Sequence, residues 1–153
     1  MLAPGCAIPN QYMGIDTRTP LTLEEQARIE MALAAAPAGP AGCPWVSAAS
    51  KVTTIACEAL PIAKLAAFAS MDSKPALLEL GIRFEEGRGV PQDWKRAEKA
   101  YRLAAWTNSA VVGQQVAGVG GRPGTFEPII VQGTPGLVSA DERLARLRAR
   151  KTR

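Results

Sequence analysis

A chain of 153 residues is enough for one domain, and its 47% hydrophobic content is rich in alanine with only 5% aromatics, which favours helices over a β-sandwich. The net charge is +4, but six of the 18 basic residues fall in the last eleven positions, so the body sets 12 basic against 14 acidic residues and is near neutral. The absence of histidine removes the commonest general base and metal ligand, no Gly-Lys pair exists to build a phosphate-binding loop, and no apolar run reaches the roughly 18 residues of a spanning helix.

Residues 1–21 read as an extended N-terminal arm, irregular because Pro4, Pro9 and Pro20 alternate with Gly5 and Gly14. Leu2-Ala3-Pro4-Gly5-Cys6 resembles the end of a bacterial lipobox, although little of an apolar h-region precedes it. Cys6 is therefore the lipidation candidate. A lipidated Cys6 implies membrane attachment and a periplasmic or outer-membrane-attached protein; a free Cys6 implies a cytoplasmic one.

Residues 22–42 read as a peripheral helix and a linker. Thr22 and Glu25 have capping-box spacing, and the apolar stripe through Ile29, Met31, Ala32 and Leu33 is narrow. Pro37 to Gly42 is a low-complexity connection.

Residues 43–107 form the expected helical core. Val46, Ala49, Val52, Ile55, Ala56 and Ala59 recur at helical spacing, which predicts a helix over 46–60, and Pro61 opens another that runs to Ser70. Cys43 and Cys57 are a disulfide candidate. A continuous helix would hold them about 21 Å apart at the standard rise, whereas a disulfide needs about 7 Å or less between Cα atoms. Pairing thus requires Cys43-Pro44-Trp45 to fold back; otherwise both are buried or free thiols. Either could serve as a nucleophile, but no histidine activates it.

The most informative stretch runs from Ser73 to Trp106. Leu77, Leu80, Gly81 and Phe84 share one helical stripe, and Ala97, Ala100, Tyr101, Ala104 and Ala105 share another. Between them, Gly87 can adopt the positive φ that ends a helix, Val90 can plug the gap, Pro91 stops propagation and Asp93 can cap the second helix. The order Leu80-Gly81, Phe84, Gly87-Arg88-Gly89-Val90, Asp93, Ala97, Tyr101, Ala104-Ala105 resembles one Sel-one-like repeat, a relative of the tetratricopeptide repeat. Trp106-Thr107-Asn108 departs from that pattern, where a glycine and a new repeat would follow. The resemblance implies an all-α fold of antiparallel helical hairpins around this single repeat. It also implies a protein-interaction or scaffold role without catalysis, with Leu78, Ile82 and Arg83 on the partner-binding face.

Residues 108–138 hold seven of the 14 glycines and fit either a loose β-hairpin or a long loop inserted before the last helix. Gly118-Val119-Gly120-Gly121 is similar to a nucleotide loop but lacks its strand and helix context. Residues 139–153 read as a helix with a basic tail. Ser139 and Glu142 have capping-box spacing, and the cations suit the negative end of the helix dipole or an anionic partner. The reading is thus of an interaction module whose partner is another protein. No catalytic residue, metal, cofactor or small-molecule substrate is expected. The alternative is a cytosolic adaptor whose tail takes an anionic partner such as nucleic acid, which the near-neutral body and the lack of interleaved aromatics disfavour.

Overall fold

The computed structural model describes residues 9–35, 39–46, 52–116, 118, 120, 121 and 123–152. The whole lipobox-like stretch with Cys6, part of the 37–42 linker, residues 47–51 of the expected 46–60 helix, and Val119 lie outside the described residues. Among these residues the fold is mainly helical, with five α-helices and three two-stranded antiparallel ladders, so the all-α expectation is too narrow.

Three helices form the centre: α2 (Ile62–Ser70), α3 (Lys74–Glu86) and α4 (Trp94–Ala105). The core gathers Leu65 and Ala66 from α2, Leu77, Leu80 and Phe84 from α3, and Ala97, Tyr101 and Ala104 from α4. The final helix α5 (Val138–Lys151) lays Ala140, Leu144 and Leu147 onto the same core.

The chain ends of these helices are closed group by group, as buried backbone polar groups require. Gly87 has φ 71°, and its N–H and that of Arg88 both donate to the Arg83 carbonyl. The Asp93 N–H donates to the Phe84 carbonyl at 2.9 Å, and Gln92 Nε2 donates to the Glu85 carbonyl at 2.8 Å. Asp93 then accepts from the Lys95 and Arg96 amides, so one short segment ends α3 and starts α4. Val90 is half-buried against the core, as the plug reading requires.

Between α2 and α3, Asp72 sits at φ 62°, a region that aspartate tolerates better than most residues. Its N–H donates to the Ala69 carbonyl and that of Ser73 to the Phe68 carbonyl, the paired bonds of a Schellman end. At the far end of α4, Arg102, Leu103 and Ala104 expose carbonyls that the helix cannot satisfy. Trp106 N–H, Lys74 Nζ and Leu137 N–H fill them at 3.1, 2.8 and 2.9 Å. Lysine is a poor choice for the positive end of α3. Lys74 is nevertheless buried there because its ammonium caps α4 and pairs with Asp72 at 3.0 Å.

The described residues of the segment expected as a helix over 46–60 are instead strand and 3-10 turn. Strands β3 (Cys43–Val46) and β4 (Val52–Ile55) pair with Cys43 opposite Ile55, and a short 3-10 turn follows at Cys57–Ala59. The apolar spacing was compatible with a helix, but Val52-Thr53-Thr54-Ile55 is a β-branched run that loses rotamer freedom in one and packs well in a strand. Pro44 is tolerated because a two-stranded ladder has only edges.

The described part of the arm, from Pro9 onward, carries regular structure where an irregular chain is expected. Strands β1 (Gln11–Tyr12) and β2 (Ile15–Asp16) flank Met13 and Gly14 at φ 48° and 78°, the two positive values of a type I′ turn. Helix α1 (Leu23–Ala34) begins with the full Thr22–Glu25 capping box and contributes Ile29 to the core. The Gly-rich insertion is a hairpin of β5 (Ser109–Val116) and β6 (Thr125–Gln132). Its base is closed by Gly133 N–H donating to the Asn108 carbonyl at 2.8 Å. Helix α5 begins one residue earlier than expected, after Leu137, with no side-chain cap, so Ser139 and Glu142 do not form a capping box. The Leu137 backbone is tied to α4 instead, and that tie sets where the helix starts.

Candidate functional site

The partner-face residues separate into two roles. Leu78 and Ile82 are half-buried on the outer side of α3, where they line a groove of about 290 Å³ with Pro75, Ala41, Ala56 and Cys57. Arg83 is a strut. Its Nε donates to Glu79 at 3.1 Å and its Nη2 donates to the Glu58 carbonyl at 3.0 Å, which ties α3 to the turn after β4. Glu79 is buried, and its Oε1 also receives a second guanidinium from Arg88 at 3.4 Å, so the buried charge is paired.

Cys43 and Cys57 meet in a disulfide with a Cα separation of 5.1 Å. The fold-back that pairing requires is the β3–β4 hairpin itself. In this state neither sulfur presents a thiolate, so neither serves as a nucleophile. The bond also braces one wall of the groove, since Cys57 lines it. Among the described residues no group of three or more acidic, cysteine or histidine side chains is placed to hold a metal ion. No helix among them is long and apolar enough to cross a membrane.

The basic tail is largely folded back onto the body. Arg143 and Arg150 reach Glu85 at 3.5 and 3.4 Å, while Arg148 and Lys151 reach Glu98 at 3.3 and 3.2 Å. These pairs join residues 50 to 65 positions apart, and no local pattern in the sequence announces them. Hydrogen bonds from Lys151 and then Arg148 hold the Glu98 carboxyl below its ordinary range. Glu85 also accepts the hydroxyl of Tyr101, a side chain with no exposed surface.

Both tyrosines of the chain resist ionisation. Burial, then the hydrogen bond to Glu85, pushes Tyr101 well above the usual 10.0. Burial, then the charge of Asp72, pushes Tyr12 up from the same value. A raised folded value means that the unfolded chain loses its phenolic protons first. Their contribution to stability is therefore intact below pH 10 and is lost as pH rises beyond it. An alkaline titration followed by phenolate absorbance is expected to lag behind that of the urea-unfolded chain, with unfolding at the end. Native phenols ionising at the ordinary value would contradict the burial described here.

Comparison with protein-family models, with curated proteins and with solved structures returns no match to this chain.

Proposed function

We propose that this chain is a protein-interaction module of the helical-repeat type, built on one Sel-one-like hairpin and working in an oxidising compartment. The observation that carries the reading is the open apolar edge of α3. Leu78 and Ile82 remain half-exposed in a groove with walls held by a disulfide and by the Arg83 strut. A preformed groove loses little entropy on binding, and apolar anchors within it are where binding energy concentrates. The close contact of Gly81 with Tyr101 supports the resemblance to the repeat, because it gives the Leu-Gly pair and the later aromatic a shared purpose. The disulfide supports export, since such bonds persist in oxidising compartments. Lipid attachment through Cys6 belongs to the same proposal.

The competing reading, a cytosolic adaptor that takes nucleic acid on its tail, loses support from the ion pairs. Four tail cations already face Glu85 and Glu98, and a near-neutral body offers little further phosphate contact.

The test compares wild-type bait with a Leu78→Ser/Ile82→Ser variant in cross-linked pull-downs, after circular dichroism shows equal helicity. A partner held by the wild type is expected to bind the variant about tenfold more weakly or worse, the effect of losing an interface anchor. Equal retention by both baits would remove the groove from the interface and the proposal with it.

A further inference from the structure

Two hollows that share Arg150 lie along α5, one against Glu85 at the end of α3 and the other against the start of α4. One, of about 450 Å³, is lined by Glu85, Arg143, Arg146 and Arg150. The other, of about 550 Å³, has Asp93, Trp94, Lys95, Leu147, Arg150 and Lys151 in its lining. Each is within the size range of small-molecule sites. The Arg150 guanidinium lies 5.6 Å from the centre of the Trp94 ring and 3.4 Å from Glu85, so it stands at the junction.

The charges of this region do not balance. Its carboxylates are already engaged: Asp93 caps α4, and Glu85 takes the Tyr101 hydroxyl along with Arg143 and Arg150. Arg146 and Lys95 form no ion pair among the described residues. The second hollow is mostly apolar, floored by Leu147 and by an indole that is 39% exposed. Cationic donors beside an aromatic surface are complementary to an anion carried on an apolar body.

We propose that these two hollows form one binding site for a small amphipathic organic anion. The anionic group accepts hydrogen bonds from Arg146 and Arg150, and the apolar body lies on Trp94 and Leu147. The inference is independent of the interaction reading, which rests on the separate groove beside Leu78 and Ile82.

Decanoate, kept below the concentration at which it forms micelles, is a suitable probe. Acetate supplies the charge alone and decanol the chain alone. The full chain has three tryptophans, so its ¹H–¹⁵N spectrum carries three indole signals, and Trp94→Phe identifies the relevant one. Decanoate is expected to shift the Trp94 indole and the Lys95 and Leu147 amides saturably, leaving the Trp45 and Trp106 indoles in place. Decanol and acetate should each bind at least about tenfold more weakly, the scale of one lost charged hydrogen bond or its apolar counterpart. Arg146→Gln removes a cation with no ion pair to lose, and it should weaken decanoate by about tenfold with the rest of the spectrum unchanged. Decanol binding as tightly as decanoate, saturable shifts centred on Trp106, no saturable shift, or full affinity in the Arg146 variant would each overturn the proposal.

Discussion

Alanine at Gly81 is expected to destabilise the protein by about 2 kcal/mol, although alanine is the better helix former by about 1 kcal/mol. Gly81 lies inside α3, where glycine is ordinarily a weakness. A Cβ there would stand 2.6 and 2.7 Å from two carbons of the Tyr101 ring. Whether the clash outweighs the propensity gain depends on whether that ring can move. It cannot move easily, because Tyr101 has no exposed surface and its hydroxyl is tied to Glu85, which Arg143 and Arg150 hold in turn. Interiors this close-packed transmit a misplaced methyl as strain. Urea denaturation of four proteins decides the matter: wild type, Gly81→Ala, Tyr101→Leu and the double variant. In the Tyr101→Leu background the alanine should become neutral or stabilising by up to about 1 kcal/mol, because the obstructing ring is gone. The same loss in both backgrounds would mean that the ring contact is not the cause.

That contact also shows how far the sequence could be read. The seam between α3 and α4 was legible because its signals are local. Gly87, Pro91 and Asp93 each dictate one backbone event, and the small residues of the two stripes declare a close approach. The capping box of α1 was legible for the same reason. The helix expected over 46–60 fails because a short apolar run satisfies helix and strand spacing alike. The β-branched run at Val52–Ile55 was the available signal, and the two cysteines were another, since only a reversal of the chain brings them together. The Met13-Gly14 turn had a weaker cue in its glycine. Some features had no cue. Lys74 is buried because of a carbonyl 29 residues away, and the tail is folded back by Glu85 and Glu98, partners that only the three-dimensional fold selects. The groove at Leu78 and Ile82 is approached through a resemblance, but its second wall comes from Ala41 before β3 and from Ala56, Cys57 and Glu58 after β4, which a helix over 46–60 does not bring together.

Removal of the Cys43–Cys57 bond is expected to cost about 3 kcal/mol, the loop-closure effect of cross-linking a segment of this length. The cysteines are 14 positions apart, and Cys43 is wholly buried. The hairpin they close is a lone two-stranded ladder, a unit that is marginal by itself in water. The loss should therefore be local at first. Helices α2, α3 and α4 carry their own core, so a Cys43→Ala/Cys57→Ala variant should retain its helical circular dichroism while its denaturation midpoint falls. The groove beside Leu78 should loosen, because Cys57 lines it and the neighbouring Glu58 carbonyl anchors Arg83. Thiol counting gives an independent check on the unmodified recombinant chain, which has three cysteines. Unfolded without reductant, it should show one reactive thiol, that of Cys6; after reduction it should show three. Three thiols before reduction, together with an unchanged midpoint in the double variant, would return both sulfurs to the status of free buried thiols. It would also withdraw the support that the bond lends to an oxidising compartment, and the proposed interaction module would then be read as a reduced, intracellular one.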